Sequence, residues 1–266
     1  MAIIAPPGNM GSSALAETGK NWMGEARVAV RLPFSGWMSE MGNRSQEAYY
    51  TIDNNQGFNK DELINWMRSI GTTPAVITIK GTVISYAWNA PTLEFPADLQ
   101  NSTVKLLVQG DLLGRGGNGG TNGNGSSGRP GGAGGHAVNN LIGGRLQIDN
   151  AGRISGGGGG GASGWCFRID QGGRPAPAGY HGGGGGAPYG TGGAGVGLGG
   201  RGGDGSLTGG GGQGHSNGLG AGAPGGGWGA NGGTIQNQAA GGAAGWAIAS
   251  QGPTWINRGN IIGPSM

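Results

Sequence analysis

The sequence has one cysteine and, beyond residue 109, neither lysine nor glutamate. Cys166 alone excludes an intramolecular disulfide, and no Cys-x-x-Cys pair suited to structural zinc is present. No apolar run approaches the roughly 20 residues of a membrane-spanning helix. The first residues lack a basic segment followed by a long apolar one, so no secretory signal is predicted. We therefore expect no membrane insertion, no bound metal and no cofactor.

Charge is sparse and unevenly distributed. Residues 1–109 carry eight basic and nine acidic side chains, whereas residues 110–266 carry eight arginines and four aspartates. The isoelectric point of about 9.2 therefore reflects isolated arginines and not a basic stripe. The two Arg-Gly-Gly motifs, at Arg115 and Arg201, lie too far apart to give the clustered positive charge of an RNA-binding chain. No nucleic-acid partner is predicted.

The most abundant residue is glycine, which accounts for 70 of the 266 residues. Nine of these glycines precede residue 110, and the other 61 follow it. So sharp a change in composition predicts two domains, residues 1–113 and residues 114–266.

The first domain is predicted to be small and of the α+β class. Apolar periodicity indicates a helix from about Ser13 to Val30 and a short helix from Ser35. A third helix is predicted between Asn59, a suitable N-cap, and Gly71, a suitable residue just after the C-terminus. Strands are predicted at 76–85 and 104–108.

Tryptophan and methionine are concentrated in this first domain. These residue types either fill a small core or contact a partner, because both are enriched at protein interfaces. The sequence leaves the choice open. The residues are Trp22, Met23, Trp37, Met38 and Trp66.

The glycine tracts of the second domain, such as 156–161 and 182–186, allow three interpretations. Disorder is disfavoured because Lys and Glu are absent while four tryptophans remain. Collagen is excluded because glycine does not recur strictly at every third position. Extended glycine helices with three residues per turn can instead satisfy their amide and carbonyl groups through their neighbours. The predicted fold of residues 114–266 is therefore a glycine-rich sandwich of packed polyglycine-II helices with loops at its tips.

Several motifs together are specific for a known family. They are Trp22-Met23, Trp37-Met38-Ser39, Lys80–Ser85, Gly143–Gly161 and Gly186–Gly190. In these motifs, and over nearly its whole length, the chain resembles the receptor-recognising adhesins at the distal end of the long tail fibre of T-even-type bacteriophages.

The resemblance implies a location, two partners and a fold. The location is the virion, at the distal tip of the long tail fibre, after synthesis in the host cytoplasm. An N-terminal domain would attach to the trimeric distal protein of the same fibre, and the polyglycine-II domain would carry the receptor-binding loops. These loops would bind an outer-membrane protein of the host bacterium or lipopolysaccharide, and so determine host range.

The segments between glycine tracts are the candidate receptor-binding loops. The most aromatic is 162–180, although Trp165 and Phe167 could equally cover the glycine segments as an apolar lid. The candidate attachment residues are Trp22, Met23, Trp37, Met38 and Trp66. The candidate receptor-binding residues are Trp165, Phe167, Arg168, Asp170, Leu207, His215, Asn217, Trp228, Asn231, Asn122 and Asn124.

An enzyme and a fibre-assembly chaperone are two further classes of function. The histidines at 136, 181 and 215 are dispersed, and neither a Gly-x-Ser-x-Gly elbow nor a His-Glu-x-x-His helix accompanies them, so no catalytic residue is predicted. A fibre-assembly chaperone would share the fibre-binding domain but would be absent from the virion.

Overall fold

The computed structural model describes residue 3 and residues 10–42, 46–121, 128–215 and 220–266. Within these ranges the chain is mostly β-sheet and has few helices. The helices are α1 (Met10–Thr18), α2 (Met23–Ala29) and α3 (Lys60–Ser69), with 3-10 turns at Met38–Met41 and Gly143–Arg145. The strands are β1 (Ala48–Ile52), β2 (Asn55–Phe58), β3 (Ala75–Ile79), β4 (Thr82–Ser85), β5 (Leu93–Phe95), β6 (Val104–Val108), β7 (Asp111–Leu113), β8 (Val138–Asn140), β9 (Leu146–Asn150), β10 (Arg153–Ser155), β11 (Gly164–Ile169), β12 (Pro175–His181), β13 (Val196–Gly197), β14 (Ile248–Ser250), β15 (Thr254–Asn257) and β16 (Asn260–Ile262).

Three parallel sheets form the body of the described chain. Their strand orders are β1-β3-β6-β9-β15, β2-β4-β7-β10-β16 and β5-β8-β14. Because successive strands fall in successive sheets, each turn of the chain adds one rung to all three. The described residues thus form a three-sided parallel solenoid of five rungs. On the third side, α3 takes the place of a strand in the first rung. In the fifth rung, Ser265 forms an isolated β-bridge with Ile248 of β14.

The three sheets enclose one hydrophobic core. Side chains alternate along β6 and β9, so that every second residue points inward, as in any strand with one face buried. Helix α3 closes the first rung with Leu63, Ile64 and Met67. Complete burial of a Leu or Ile side chain contributes about 1.5–3 kcal/mol, so this core is a major source of the solenoid's stability.

Glycine marks the corner between the first and second sheets in successive rungs. A Cβ atom on Gly110 would overlap the carbonyl oxygen of Gly81, and one on Gly152 would overlap that of Gly110. In the fourth rung the Asn150 side chain donates to the carbonyl oxygens of Arg258 (2.9 Å) and Asn260 (3.2 Å) in the fifth. At the glycine corners, the main chain of one rung therefore packs directly on the main chain of the preceding rung.

The glycine-rich segments leave the solenoid at another corner, between the second and third sheets. This connection spans residues 86–92 in the second rung, 114–137 in the third and 156–247 in the fourth. Both glycine-rich segments are thus insertions at one corner of the solenoid.

Main-chain hydrogen bonds join the glycine segments to one another. Successive amides of residues 157–162 donate in rotation to three neighbouring segments, 132–135, 184–187 and 230–233, and every third amide returns to the same one. Each extended segment is therefore held from several sides. The bonds run from Gly157 to Gly135 (2.9 Å), Gly158 to Ala187 (2.6 Å), Gly159 to Ala230 (2.9 Å), Gly160 to Gly132 (2.8 Å), Gly161 to Gly184 (2.7 Å) and Ala162 to Gly233 (3.0 Å).

The predicted fold class, a small α+β domain followed by a sandwich of polyglycine-II helices, is wrong. Apart from the 3-10 turn at Gly143–Arg145, the regular structure described for residues 114–266 consists of strands, and β9, β10, β15 and β16 extend the same parallel sheets as the strands of the first 113 residues. The error arose because the glycine content of the insertions was taken as a property of the whole second half. The boundary at residue 113 stays a prediction.

Local predictions in the first half were more accurate. The Asn59 side chain caps α3 by accepting from the Asp61 amide (3.1 Å), and Gly71 follows the helix with φ of +59°. The predicted strand 104–108 is β6, whereas the predicted strand 76–85 is two strands, β3 and β4, which lie in different sheets. The predicted helix from Ser13 is instead two helices, separated where Gly19 adopts φ of +64°.

One histidine is completely buried beside the glycine segments. His181, the last residue of β12, has no exposed surface. Its Nδ1 accepts from the Gly200 amide (3.1 Å), so the neutral ring carries its proton on Nε2, which is buried without a hydrogen-bond partner among the described residues. Burial, and secondarily the charge of His215, lower the pKa of His181. The folded protein therefore favours the neutral ring.

Substitution of Gly184 by alanine should destabilise the glycine insertions by about 1–3 kcal/mol through overpacking. Its Cβ would overlap the Gly211 carbonyl oxygen and lie 2.7 Å from the Gly225 amide nitrogen. Gly212→Ala is the matched control, because a Cβ there meets nothing within 4 Å. The free energy of unfolding in urea is the measurement. Equal stability of the two variants would contradict the packing argument.

The free energy of unfolding should fall as the pH drops below about 6.5, the ordinary pKa of histidine. Because the folded pKa of His181 is lowered, the unfolded chain binds more protons in this range, and stability rises with pH. His181→Gln keeps an acceptor for Gly200 but does not titrate. Unfolding measured between pH 7 and pH 5 should depend less on pH in this variant than in the native chain. An unchanged slope would exclude His181 as a source of acid sensitivity.

Candidate functional site

The largest non-glycine segment of the fourth-rung insertion folds into a small antiparallel sheet, β11-β12-β13. Residues that pair directly across a sheet share one face. Trp165 pairs with Tyr180, which in turn pairs with Val196, so these three form one row. Phe167 follows Trp165 on the same strand, and their ring centroids lie 5.5 Å apart. The sheet thus has an outward face of aromatic and aliphatic side chains.

The opposite face of this sheet is anchored on the glycine segments. Cys166 and His181 point to that side and have no exposed surface, and burial raises the pKa of the Cys166 thiol. The amide of Trp165 donates to the Gln238 side chain (2.6 Å), which ties the hairpin to the neighbouring loop. One face is therefore fixed, while Trp165 and Phe167 on the other are half-buried.

Asp170 builds the turn at the tip of the hairpin. Its Oδ1 atom accepts from the amides of Gly172 (2.9 Å) and Arg174 (2.8 Å), and its own amide donates to the Arg174 carbonyl (2.9 Å). This turn leaves Ile169, 51% exposed, at the end of the apolar face. Arg168 and Asp170 are also exposed.

Two other candidate receptor-binding residues contact each other. The Trp228 indole nitrogen donates to the Leu207 carbonyl (2.6 Å), and the Arg153 guanidinium lies 4.3 Å from the centroid of the Trp228 ring. Arg153 also forms two hydrogen bonds with Asp111, of 3.0 and 3.1 Å. Trp228 therefore links the insertion to the solenoid, and both its indole N–H and one ring face have partners within the chain.

The smaller loops place their candidate residues at the surface. Asn231 is exposed, and its Oδ1 accepts from the Ala244 amide (2.8 Å). His215 is also exposed, with its Nδ1 at 3.5 Å from the Gln213 carbonyl oxygen. Asn122, Asn124 and Asn217 lie outside the described residues.

A second group of exposed apolar side chains lies at the N-terminal helices and the loop that follows them. Trp22 and Trp37 are 75% and 79% exposed, and Met23 and Met38 are also exposed. Sequence analysis missed Phe34, which adds its exposed ring to this surface; an aromatic residue next to Pro33 in a loop was the available signal. We call Trp22, Met23, Phe34, Trp37 and Met38 the N-terminal apolar surface.

Trp66 lies elsewhere in the structure. It is on α3, where its ring packs at 4.9 Å from that of Tyr50 and against the core of the solenoid. The structure therefore does not bring Trp66 together with the N-terminal apolar surface.

Arg27 supports the loop that carries part of this surface. Its side chain is 1% exposed and forms an ion pair with Glu40 (2.7 Å). The same guanidinium donates to the main-chain carbonyl of every second residue in the loop 33–37. The planar guanidinium presents its N–H donors in a fixed geometry. Because these donors bind the Glu40 carboxylate and the loop carbonyls together, Arg27 fixes the positions of these carbonyls relative to one another. The acceptors are Pro33 (2.8 Å), Ser35 (3.1 Å) and Trp37 (2.5 Å).

Polar contacts join the N-terminal helices to the first strand of the solenoid. Arg31 pairs with Glu47 (2.6 Å), which also accepts from the Tyr49 hydroxyl (3.0 Å). This hydrogen bond to Glu47 raises the pKa of Tyr49. The Gln46 amide donates to the Glu17 side chain (2.7 Å). The N-terminal apolar surface is thus attached to the body next to β1.

The described ranges contain neither a metal-ligand cluster nor a membrane-spanning helix. No group of three or more His, Cys, Asp or Glu side chains within them could hold a metal ion. No helix in those ranges is long and apolar enough to cross a lipid bilayer. The histidines at 136 and 181 each accept from a main-chain amide through Nδ1.

Comparisons with known proteins agree over the whole chain. The family described as "Phage tail fibre adhesin Gp38" matches residues 47–266, and its N-terminal domain matches residues 1–42. The receptor-recognizing protein gp38 of Salmonella phage S16 is 42% identical over 259 residues, which cover 96% of each chain. A chain in the crystal structure of the gp37–gp38 adhesin tip complex of the phage S16 long tail fiber superposes with a TM-score of 0.74 at 36% identity, covering 100% of both chains. The chain therefore belongs to the phage tail fibre adhesin Gp38 family.

Proposed function

We propose that this chain is a receptor-binding adhesin that attaches a bacteriophage to its host and thereby determines host range. The observation that carries the proposal is the β11-β12-β13 sheet, whose one face is fixed on the glycine segments while Trp165, Phe167 and Ile169 line the other. Apolar side chains that reach the surface of a rigid support, here the exposed Ile169 beside the half-buried Trp165 and Phe167, are typical of protein-binding surfaces. The relative from phage S16 is named a receptor-recognizing protein.

The receptor is an outer-membrane component of the host bacterium, either a protein or lipopolysaccharide. The exposed Asn231 and His215 supply adaptable polar contacts, as in antibody loops. Asn122, Asn124 and Asn217, which lie outside the described residues, stay candidates for further contacts. The bonds that Trp228 and Leu207 form within the insertion favour a supporting role for these two residues.

The N-terminal apolar surface attaches the chain to the fibre. The related S16 chain is part of a complex with gp37, and the corresponding partner is the trimeric distal protein of the same phage's long tail fibre. The exposure of Trp22 and Trp37 supports this assignment, because large exposed aromatics are uncommon on surfaces without a partner. Packing against the solenoid core argues against a role for Trp66 in attachment.

The two surfaces explain where the protein acts. One binds the fibre and the other the receptor, so the chain stays in the virion at the distal tip of the long tail fibre after synthesis in the host cytoplasm. It acts by binding and without catalysis. A fibre-assembly chaperone would need the N-terminal apolar surface but would have no use for an exposed apolar sheet. Immunoblotting of purified virions separates the two, since a chaperone would be absent from them.

Replacing Ile169 by serine should slow adsorption of the phage to sensitive bacteria by about three- to tenfold. The change removes apolar contact area worth about 1 kcal/mol from the face of the sheet and leaves the core untouched. Ile256→Ser is the matched control, because both isoleucines are 51% exposed but Ile256 lies on β15. Equal adsorption rates for the two variants would argue against the β11-β12-β13 sheet as the receptor-binding surface.

Replacing Trp37 by alanine should weaken binding of the chain to the purified distal fibre protein by more than tenfold, as for a central aromatic residue of an interface. Trp88→Ala is the control, since Trp88 is also an exposed tryptophan but lies between β4 and β5. Calorimetric titration gives both affinities. Native affinity in the Trp37 variant, or equal losses in both, would exclude the N-terminal apolar surface as the attachment site.

A further inference from the structure

Two aromatic side chains are exposed at the corner where the glycine-rich segments leave the solenoid. Tyr86 is 54% exposed and Trp88 is 47% exposed, and both belong to the second-rung connection of residues 86–92. Large aromatic groups at a protein surface indicate contact with a ligand or a partner. Neither residue belongs to the β11-β12-β13 sheet or to the N-terminal apolar surface, so this corner calls for a ligand of its own.

Hydrogen bonds hold both ends of this connection. The buried Thr92 hydroxyl accepts from the Ser85 amide (3.1 Å) and donates to the Leu113 carbonyl (2.6 Å), which closes the loop at its base. The Arg115 guanidinium donates to the Ser85 and Tyr86 carbonyls (3.3 and 3.4 Å). The exposed indole is therefore carried by a loop that is fixed in place, as in the largely preformed pockets that bind small molecules.

A cavity of about 240 Å³ lies between this connection and the third-rung glycine insertion; we call it the corner pocket. The insertion packs closely there, because a Cβ atom on Gly135 would lie 3.2 Å from the Trp88 carbonyl oxygen and 3.3 Å from that of Ala90. Pockets for drug-sized ligands begin at about 300 Å³, so the corner pocket suits a single six-membered ring. The residues that line it include Trp88, Asn89, Pro91, Ala133 and His136.

The lining of the corner pocket is aromatic and polar but uncharged. His136 is the one titratable residue among the described residues that line it. Burial lowers the pKa of His136, and its Nδ1 accepts from the Trp246 amide (2.9 Å), so the neutral ring carries its proton on Nε2. The lining thus combines the Trp88 indole, an imidazole N–H donor and the exposed amide of Asn89.

We propose that the corner pocket binds one neutral hexose ring. One face of such a ring presents C–H groups that pack on an aromatic ring such as that of Trp88, while the hydroxyl groups around its rim need hydrogen-bond partners. The Asn89 amide offers both a donor and an acceptor, and His136 offers a donor. The hexoses of a bacterial lipopolysaccharide core and free sugars share this chemistry.

Two other kinds of occupant fit the corner pocket less well. A phosphate or a carboxylate would find no cationic partner among the described residues that line it. A purely apolar side chain would cover the Asn89 amide and the His136 N–H without replacing their hydrogen bonds to water. The pocket is separate from the β11-β12-β13 sheet, so the inference does not depend on the receptor-binding surface.

Loss of the stacking ring should have the largest effect. Trp88→Ala is expected to weaken sugar binding more than tenfold, as for the central aromatic residue of a binding site. Asn89→Ala should weaken it about two- to tenfold, the range for a single hydrogen bond. Both side chains are exposed, so the fold is retained. Trp37→Ala is the matched control, because Trp37 is an exposed tryptophan of the N-terminal apolar surface.

The test is calorimetric titration of the native full-length chain and the three variants. The saccharide probes are the core oligosaccharide released from the lipopolysaccharide of a sensitive strain, before and after removal of its phosphates, and free methyl glucoside and methyl galactoside. N-acetylphenylalanine amide is the probe for an aromatic side chain without sugar. Added salt should leave saccharide binding unchanged, because the bound ring is uncharged.

The outcomes identify both the ligand and its source. Saccharide binding that Trp88→Ala weakens more than tenfold and Trp37→Ala leaves unchanged would support the inference. In that case, binding of the core oligosaccharide assigns the pocket to the bacterial envelope, and binding of the methyl glycosides alone assigns it to a soluble sugar. No saccharide binding by the native chain, or equal binding by the Trp88 variant, would refute it. Binding that needs the phosphates, or binding of the aromatic amide alone, would replace the hexose with an anion or a peptide side chain.

Discussion

Main-chain hydrogen bonding between segments too close for side chains is the constraint on which this structure depends. Residues 157–162 donate to three neighbours in rotation, and a Cβ on most of these glycines would overlap a neighbouring carbonyl oxygen. Each such bond contributes only about 0.5–1.5 kcal/mol, and ordering glycine is entropically costly. The segments are therefore stable as a group, since each one supplies partners to several others.

The parallel solenoid gives these segments a fixed starting point. Its three sheets share one apolar core, and both glycine-rich insertions leave from the same corner. Gly114 and Gly156 continue directly from β7 and β10 and bond to the next rungs, at Ser155 (2.8 Å) and Ile262 (3.2 Å). Main-chain bonds thus connect the solenoid to the hairpin, where the proposed receptor-binding surface would gain from being held in shape.

The sequence allowed accurate prediction where the signal was local. The Asn59 cap and strand β6 follow from residues next to one another. The solenoid was not predicted, because three-residue strands such as β5 and β10 are too short to show a periodic pattern of apolar residues. Their partner strands also belong to neighbouring rungs, far away in the sequence. Among the candidate residues, exposure of Trp22 and Trp37 agrees with an interface, whereas the contact of Trp66 with Tyr50 depends on tertiary packing that no local pattern indicates.

Amide hydrogen exchange on the native full-length chain tests the central claim most directly. Apart from the methyl groups of Ala162 and Ala187, residues 157–162 and 182–187 carry no apolar side chains to shield them, so protection of the glycine amides must come from the hydrogen bonds between segments. The account predicts that their amides exchange as slowly as those of β6 in the solenoid core. Exchange at the rate of an unstructured peptide, while β6 stays protected, would show that these segments are not held by main-chain bonds and would contradict the account.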